Sequence, residues 1–156
     1  MRRTGWFYYS CAAWGLSLIC AAAAWFMGMT NLFAFPMFAI MPEWVALIYT
    51  GNKEGITQYD ILHECPRVCK IITVGSILYG IICFLFGMYI LREGGPHIDN
   101  GVYCLWNHGF VREITQEEYK ALSKMEGAMF TGVYLVFSSI SMAYFSARDK
   151  INCYLG

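Results

Sequence analysis

Four groupings in this chain carry side chains able to do chemistry or recognition. Glu43 follows Pro42 inside an otherwise apolar stretch. An acid within a membrane segment can bind a proton or a cation, or pair with a basic residue of a partner. His63, Cys65 and Cys69 form the densest set of soft N and S donors, the type zinc accepts. Pro66 breaks their run, no fourth ligand is evident, and a buried Cys69 behind a surface turn is the plain alternative. The Cys-x₃-Cys spacing also suggests a thiol pair, although membrane thiol oxidoreductases use Cys-x-x-Cys. His97, Cys104 and His108 share a polar loop with Asp99 and Glu113. His108 stands between Asn107 and Gly109, so a turn accounts for it without catalysis. In the same loop Tyr103, Trp106, His108 and Phe110 are candidate contacts for a protein partner, because aromatic side chains anchor interfaces.

These residues are set among long uncharged runs. Residues 4–42, 71–91 and 128–147 contain no Asp, Glu, Lys or Arg. A bilayer core about 30 Å thick needs roughly 20 apolar helical residues. With 58% hydrophobic and 14% charged residues, the 156-residue chain reads as an all-α, polytopic membrane protein in one integral membrane domain, 1–156. Four membrane segments are expected, at about 6–28, 32–50, 68–91 and 126–147. Three is the alternative. The first run is too long for one crossing and must turn near Gly28-Met29-Thr30-Asn31.

The second segment is ambiguous. Pro36 and Pro42 could kink a full crossing. Alternatively, Pro42-Glu43-Trp44 starts a helix at an interface, with Glu43 as a first-turn acid. Met1-Arg2-Arg3 before an apolar stretch also resembles a signal peptide. That stretch outruns an h-region, so it is expected to stay as an anchor. Aromatic residues near the run ends fit interfacial positions.

Thr57-Gln58-Tyr59-Asp60 predicts a short surface helix over about 58–65. The polar loop 92–125 is expected to carry a β-hairpin over 102–114, around Asn107-His108-Gly109. A capping box at Thr115-Gln116-Glu117-Glu118 follows, and its helix leads into the last segment, which should close at Arg148-Asp149-Lys150. The pairs Ala24/Gly28 and Ser76/Gly80 permit close helix packing. Ser138, Ser139 and Ser141 can bond back to their own helix.

Seven scattered cysteines make no disulfide framework. Zero net charge and no basic tract exclude a nucleic-acid partner, and no motif calls for a cofactor. The positive-inside rule gives seven basic residues against four for four crossings, and six against five for three. This favours four, with the N-terminus inside.

Asn100-Gly101-Val102-Tyr103 through Asn107-His108-Gly109, then Arg112-Glu113-Ile114-Thr115 and Glu117-Glu118-Tyr119, resemble small bacterial multi-pass membrane proteins to which no activity is assigned. The resemblance implies provenance in a bacterial inner (plasma) membrane and transfers no functional residue. The leading expectation is a non-catalytic interaction or accessory component, immunity-like by analogy. Its partners would be the bilayer, a membrane or envelope protein, or a second copy of the chain. A small transporter or proton-coupled channel using Glu43, and a thiol or metal enzyme using His63, Cys65 and Cys69, are the alternatives.

Overall fold

A computed structural model describes residues 4–27 and 34–155. The turn expected at 28–31 and the leader at 1–3 lie outside them. Helix α1 spans Gly5–Ala22 and continues as a π-helical turn, Ala23–Met27. Then come α2 (Ala34–Glu54), α3 (Gln58–Glu64) and α4 (Arg67–Ile90). A three-stranded antiparallel sheet follows, β1 (Gly95–Asp99), β2 (Val102–Trp106) and β3 (Phe110–Glu113), in the order β1-β2-β3. Helix α5 (Gln116–Leu155) closes the chain. Among the described residues three helical stretches are long and apolar enough to cross a membrane: Gly5–Phe26, Arg67–Ile90 and Gln116–Cys153.

Helix α5 is the central post, touched by α1, α2, α3 and α4 and by the sheet. Its apolar and hydroxyl-bearing residues between Ser141 and Ala147 are all buried. The pairings fix directions. Gly80 of α4 lies at Gly132 and Val136, and Gly87 lies at Met129, so α4 runs antiparallel to α5. Thr4 meets Asp149 and Trp6 stacks on Phe145, so α1 is also antiparallel. Trp44 packs on Phe137, Gly51 faces Tyr144 and Glu54 pairs with Arg148, so α2 runs parallel to α5. The bundle therefore has an α3 end, holding the start of α1 and the finish of α5, and a sheet end.

Local chemistry explains the short elements. Thr57 caps α3 in a reciprocal box: its hydroxyl accepts from the Asp60 N–H at 3.2 Å, and its own N–H donates to Asp60 Oδ2 at 2.8 Å. At α5 the Glu118 N–H donates to Thr115 Oγ1 at 3.1 Å, while the Glu118 carboxylate also takes Arg112. The two similar helix starts, Thr57 and Thr115, lie at opposite ends of the bundle.

Four expectations need correction. Pro42 does not start a helix: α2 begins at Ala34 and carries Pro42 in its interior. A proline there removes one backbone donor, and packing against α1 and α5 keeps the helix going. The hairpin is a three-stranded sheet, because Gly95–Asp99 pairs with Val102–Trp106. Asn100 and Gly101 make that first turn with φ of 49° and 84°, as a tight two-residue connection requires. Helix α5 does not stop at Arg148-Asp149-Lys150 but runs to Leu155. Each of those charges has a partner on another element: Glu54, Thr4 and Glu64. Finally, Ser138 and Ser139 bond back to Tyr134 and Val136, but Ser141 does not.

Candidate functional site: a buried acid between α1, α2 and α5

Glu43 sits in the middle of α2. At about 1.5 Å of rise per residue it lies roughly 16 Å from Glu54 and roughly 14 Å from Ala34 along the axis. It is 0% exposed. The parallel run of α2 beside α5, with α1 packed across both, buries this face at the three-helix junction. The alternative of a first-turn acid is thus overturned: Glu43 is interior in both the helix and the bundle.

Its neighbours are hydroxyls. Ser10 of α1 and Ser138 of α5 lie beside the carboxylate, and both are 0% exposed. Neither meets it in hydrogen-bond geometry. Ser138 donates instead to the Tyr134 carbonyl at 3.0 Å, and among the described residues the Ser10 hydroxyl and both Glu43 oxygens find no hydrogen-bond partner. Trp44 Nε1 is in the same condition, although its ring packs edge-on against Phe137 at 4.6 Å. Among the described residues of α1, α2 and α5 no basic side chain lies near it along the sequence. Helix α1 carries no charge, α2 has only Lys53 and Glu54 besides Glu43, and α5 has none between Glu126 and Arg148.

An unpaired carboxylate out of water is among the costlier things a fold can hold. The arrangement suits a proton on the acid, or a small hard cation shared between carboxylate and hydroxyl oxygens.

The other candidates are separated. Cys65 and Cys69 are buried in an apolar cluster with Phe7, Ala46 and Phe145. His63 points outward with 69% of its side chain exposed, stacked near Tyr59 and 3.8 Å from Glu64. Among the described residues no three His, Cys, Asp or Glu side chains gather as a metal site. Outside the bundle, the Thr57 hydroxyl and N–H hold the Asp60 carboxyl below its usual range, and Lys150 does the same for Glu64.

In the sheet, Cys104 and Leu105 are buried and Tyr103 stacks on Tyr119 at 4.9 Å. Trp106 and Phe110 are 44% and 58% exposed. His108 has φ of 56°, the left-handed turn geometry its neighbours Asn107 and Gly109 suggested.

Sequence reasoning missed Ser10 as a neighbour of Glu43. A serine in an apolar helix is a weak signal, and only the packing of α1 against α2 and α5 brings it to the acid. No family model, curated protein or solved structure matches this chain.

Proposed function

We propose that the chain is a four-segment integral membrane protein, α2 included, in which Glu43 is a proton-binding group serving a small proton-linked transporter or channel component. The observation that carries this reading is the Glu43 carboxylate, fully buried at mid-bundle with neither oxygen hydrogen-bonded. A charge at the centre of a membrane helix costs about 2.5–3.5 kcal/mol on insertion scales. A fold that keeps such a group without a counter-ion gives up stability there, and functional sites are where that happens.

Two features support the fourth segment. Helix α2 lies alongside α5 from Phe137 to Arg148, and its outer face presents Phe38, Val45 and Ile48 to the surroundings. The charge pattern agrees: Lys53, Arg67, Lys70, Arg148 and Lys150 lie at the α3 end, against Arg92, Arg112, Lys120 and Lys124 at the sheet end. The positive-inside rule then makes the α3 end cytoplasmic, in the inner membrane of a bacterium on this reading.

The test is infrared difference spectroscopy of the lipid-reconstituted protein during a pH titration. A protonated-carboxyl stretch that disappears in Glu43→Gln is the expected result. A spectrum identical in the two proteins, at every pH and with or without sodium, would sink the proposal.

A second reading rests on the sheet. Trp106 and Phe110 are exposed beside each other in register, which suits docking of a membrane or envelope protein without catalysis. If Trp106→Ala with Phe110→Ala removes cellular function while the infrared signature of Glu43 persists, the sheet is the working surface.

A further inference from the structure

The buried polar atoms without partners are not scattered evenly. Among the described residues, Glu43, Ser10 and Trp44 form one level of the bundle. The remainder, on Ser141, Tyr144, Ser146 and Asp149 of α5, all lie from that level towards the α3 end. Towards the sheet end Ser17, Thr131 and Ser76 are each hydrogen-bonded. Ser17 donates to the Ala13 carbonyl at 2.9 Å, and Thr131 donates to the Gly127 carbonyl at 2.8 Å. Ser76 accepts from Trp14 Nε1 at 3.0 Å. Ala13, Cys20, Ala24 and Leu135 fill the rest of that half.

Helical geometry puts part of the unpartnered set in a row. From Ser138, beside the acid, Ser141 is one turn on and Tyr144 roughly another. Both turn to the side of α5 that α2 covers, as Phe137 and Arg148 do. The Tyr144 hydroxyl lies against Gly51 of α2, where even a Cβ would come within 3.8 Å of it. Beyond it, Arg148 binds Glu54 through Nε at 2.6 Å and its second nitrogen at 2.5 Å, with the Arg148 side chain 16% exposed. Ser146 sits on a different face of α5, and Asp149 turns to Thr4, so neither belongs to this row.

We infer that Glu43 exchanges with water at the α3 end alone, through a hydrated polar track of Ser141 and Tyr144 whose mouth is Gly51 and the Glu54–Arg148 pair. The inference deepens the proton-binding reading and rests on it for its purpose, although the track itself is a separate property. Buried polar groups that lack protein partners are the places where ordered water is held, each water needing two or more such groups. Ser141 and Tyr144 supply them in sequence, and the Glu43 oxygens end the row. Closure towards the sheet end makes the track one-sided, as alternating access requires of a resting state and as a continuous pore forbids. Gly51 is the one mouth residue without a side chain, so no side chain of its own stands between it and the buried Tyr144 hydroxyl.

Thiol accessibility in sealed vesicles tests this. Single cysteines are placed in a cysteine-free background and treated with a membrane-impermeant methanethiosulfonate from each face. Asn52→Cys and Asn100→Cys report the two faces. Ser141→Cys and Tyr144→Cys are expected to react from the Asn52 face and not from the Asn100 face. Ser17→Cys and Thr131→Cys should react from neither. Adding Gly51→Leu should abolish the Ser141→Cys reaction while leaving Asn52→Cys labelling unchanged. Reaction of Ser141→Cys from the Asn100 face, from both faces, or from neither while Asn52→Cys reacts fully, would overturn the track. Failure of the infrared titration with labelling as expected would instead discard the proton on Glu43 and leave the track standing.

Discussion

Helix α5 shows two opposite ways of burying a membrane-type helix face. Against α4 it packs through glycine: Gly80 and Gly132 bring the two backbones together, and among the described residues α4 carries no buried side-chain polar atom without a partner. Against α1 and α2 it holds an acid, serines and a tyrosine that are buried but incompletely bonded. Close approach maximises dispersion contacts, which are what hold helices together once lipid has replaced water. The polar junction gives some of that up. One seam is close-packed and the other is polar, and a single helix serves both because its two stripes are chemically independent.

The most damaging way to break this contrast is to widen the glycine seam. A Cβ at Gly132 would stand 3.3 Å from the Cys83 Cβ and 3.4 Å from the Gly80 Cα, with backbone behind it that cannot yield. Gly132→Leu is expected to cost about 3 kcal/mol or more in a detergent-unfolding titration. Gly87→Ala is the control on the same seam. Its Cβ meets the Met129 sulfur at 2.9 Å, which can swing aside, and the Met129 Cβ at 3.1 Å, which must give by a few tenths of an ångström, so the loss should be smaller. Equal losses at the two positions would show that backbone approach is not what sets the seam.

The opposite sign is expected at the polar junction. Glu43→Met keeps the volume and removes two buried oxygens that lack partners. It should stabilise the protein by about 1–3 kcal/mol in the same titration, while removing the protonated-carboxyl signal. A destabilised Glu43→Met would mean that the acid is bonded in the membrane, and the contrast between the seams would fail.

The scaffold was easier to read from sequence than the site. The uncharged runs, the Thr57–Asp60 box and the Asn107-His108-Gly109 turn follow from local chemistry, and each has its counterpart in the structure. Strand β1 was lost because Gly94-Gly95-Pro96 reads as a breaker. The Asn100-Gly101 pair that closes its hairpin was the available signal. The length of α5 was lost because charges usually mark a helix end, and these are consumed by partners distant in sequence. Glu43 stood out as an isolated acid, but whether it was interior depended on Pro42 being tolerated mid-helix, which only packing decides. Ser10 and Ser141 carried no sequence signal at all, since a hydroxyl in an apolar helix usually bonds back to its own turn.

A smaller effect sharpens the comparison at the mouth of the track. The Glu54–Arg148 pair ties α2 to α5 with two short bonds, the side chains 25% and 16% exposed. Partial burial and bidentate geometry put its worth at the upper end for such pairs, about 1 kcal/mol. A double-mutant cycle with Glu54→Gln and Arg148→Met should return a coupling of that size. No coupling would remove the pair as a fixed gatepost of the track.

The smallest effect separates the α3 end from the glycine seam by pH. Thr57 lowers the Asp60 carboxyl, and Lys150 lowers Glu64. A carboxyl whose folded value lies below its unfolded one contributes stability above the unfolded value. That contribution is lost as pH falls through the lowered folded value. Helix α3 should therefore lose hydrogen-exchange protection on acidification below the ordinary carboxylate range. The amides of α4 facing α5 should not, because no titratable carboxylate lies along residues 71–91 or 128–147. Protection factors, corrected for the intrinsic pH dependence of exchange, read the two regions in one experiment. Thr57→Ala should weaken α3 at neutral pH and flatten its acid response. If α3 and α4 instead lose protection together, the bundle unfolds as one unit, and the end carrying the track has no independent mobility.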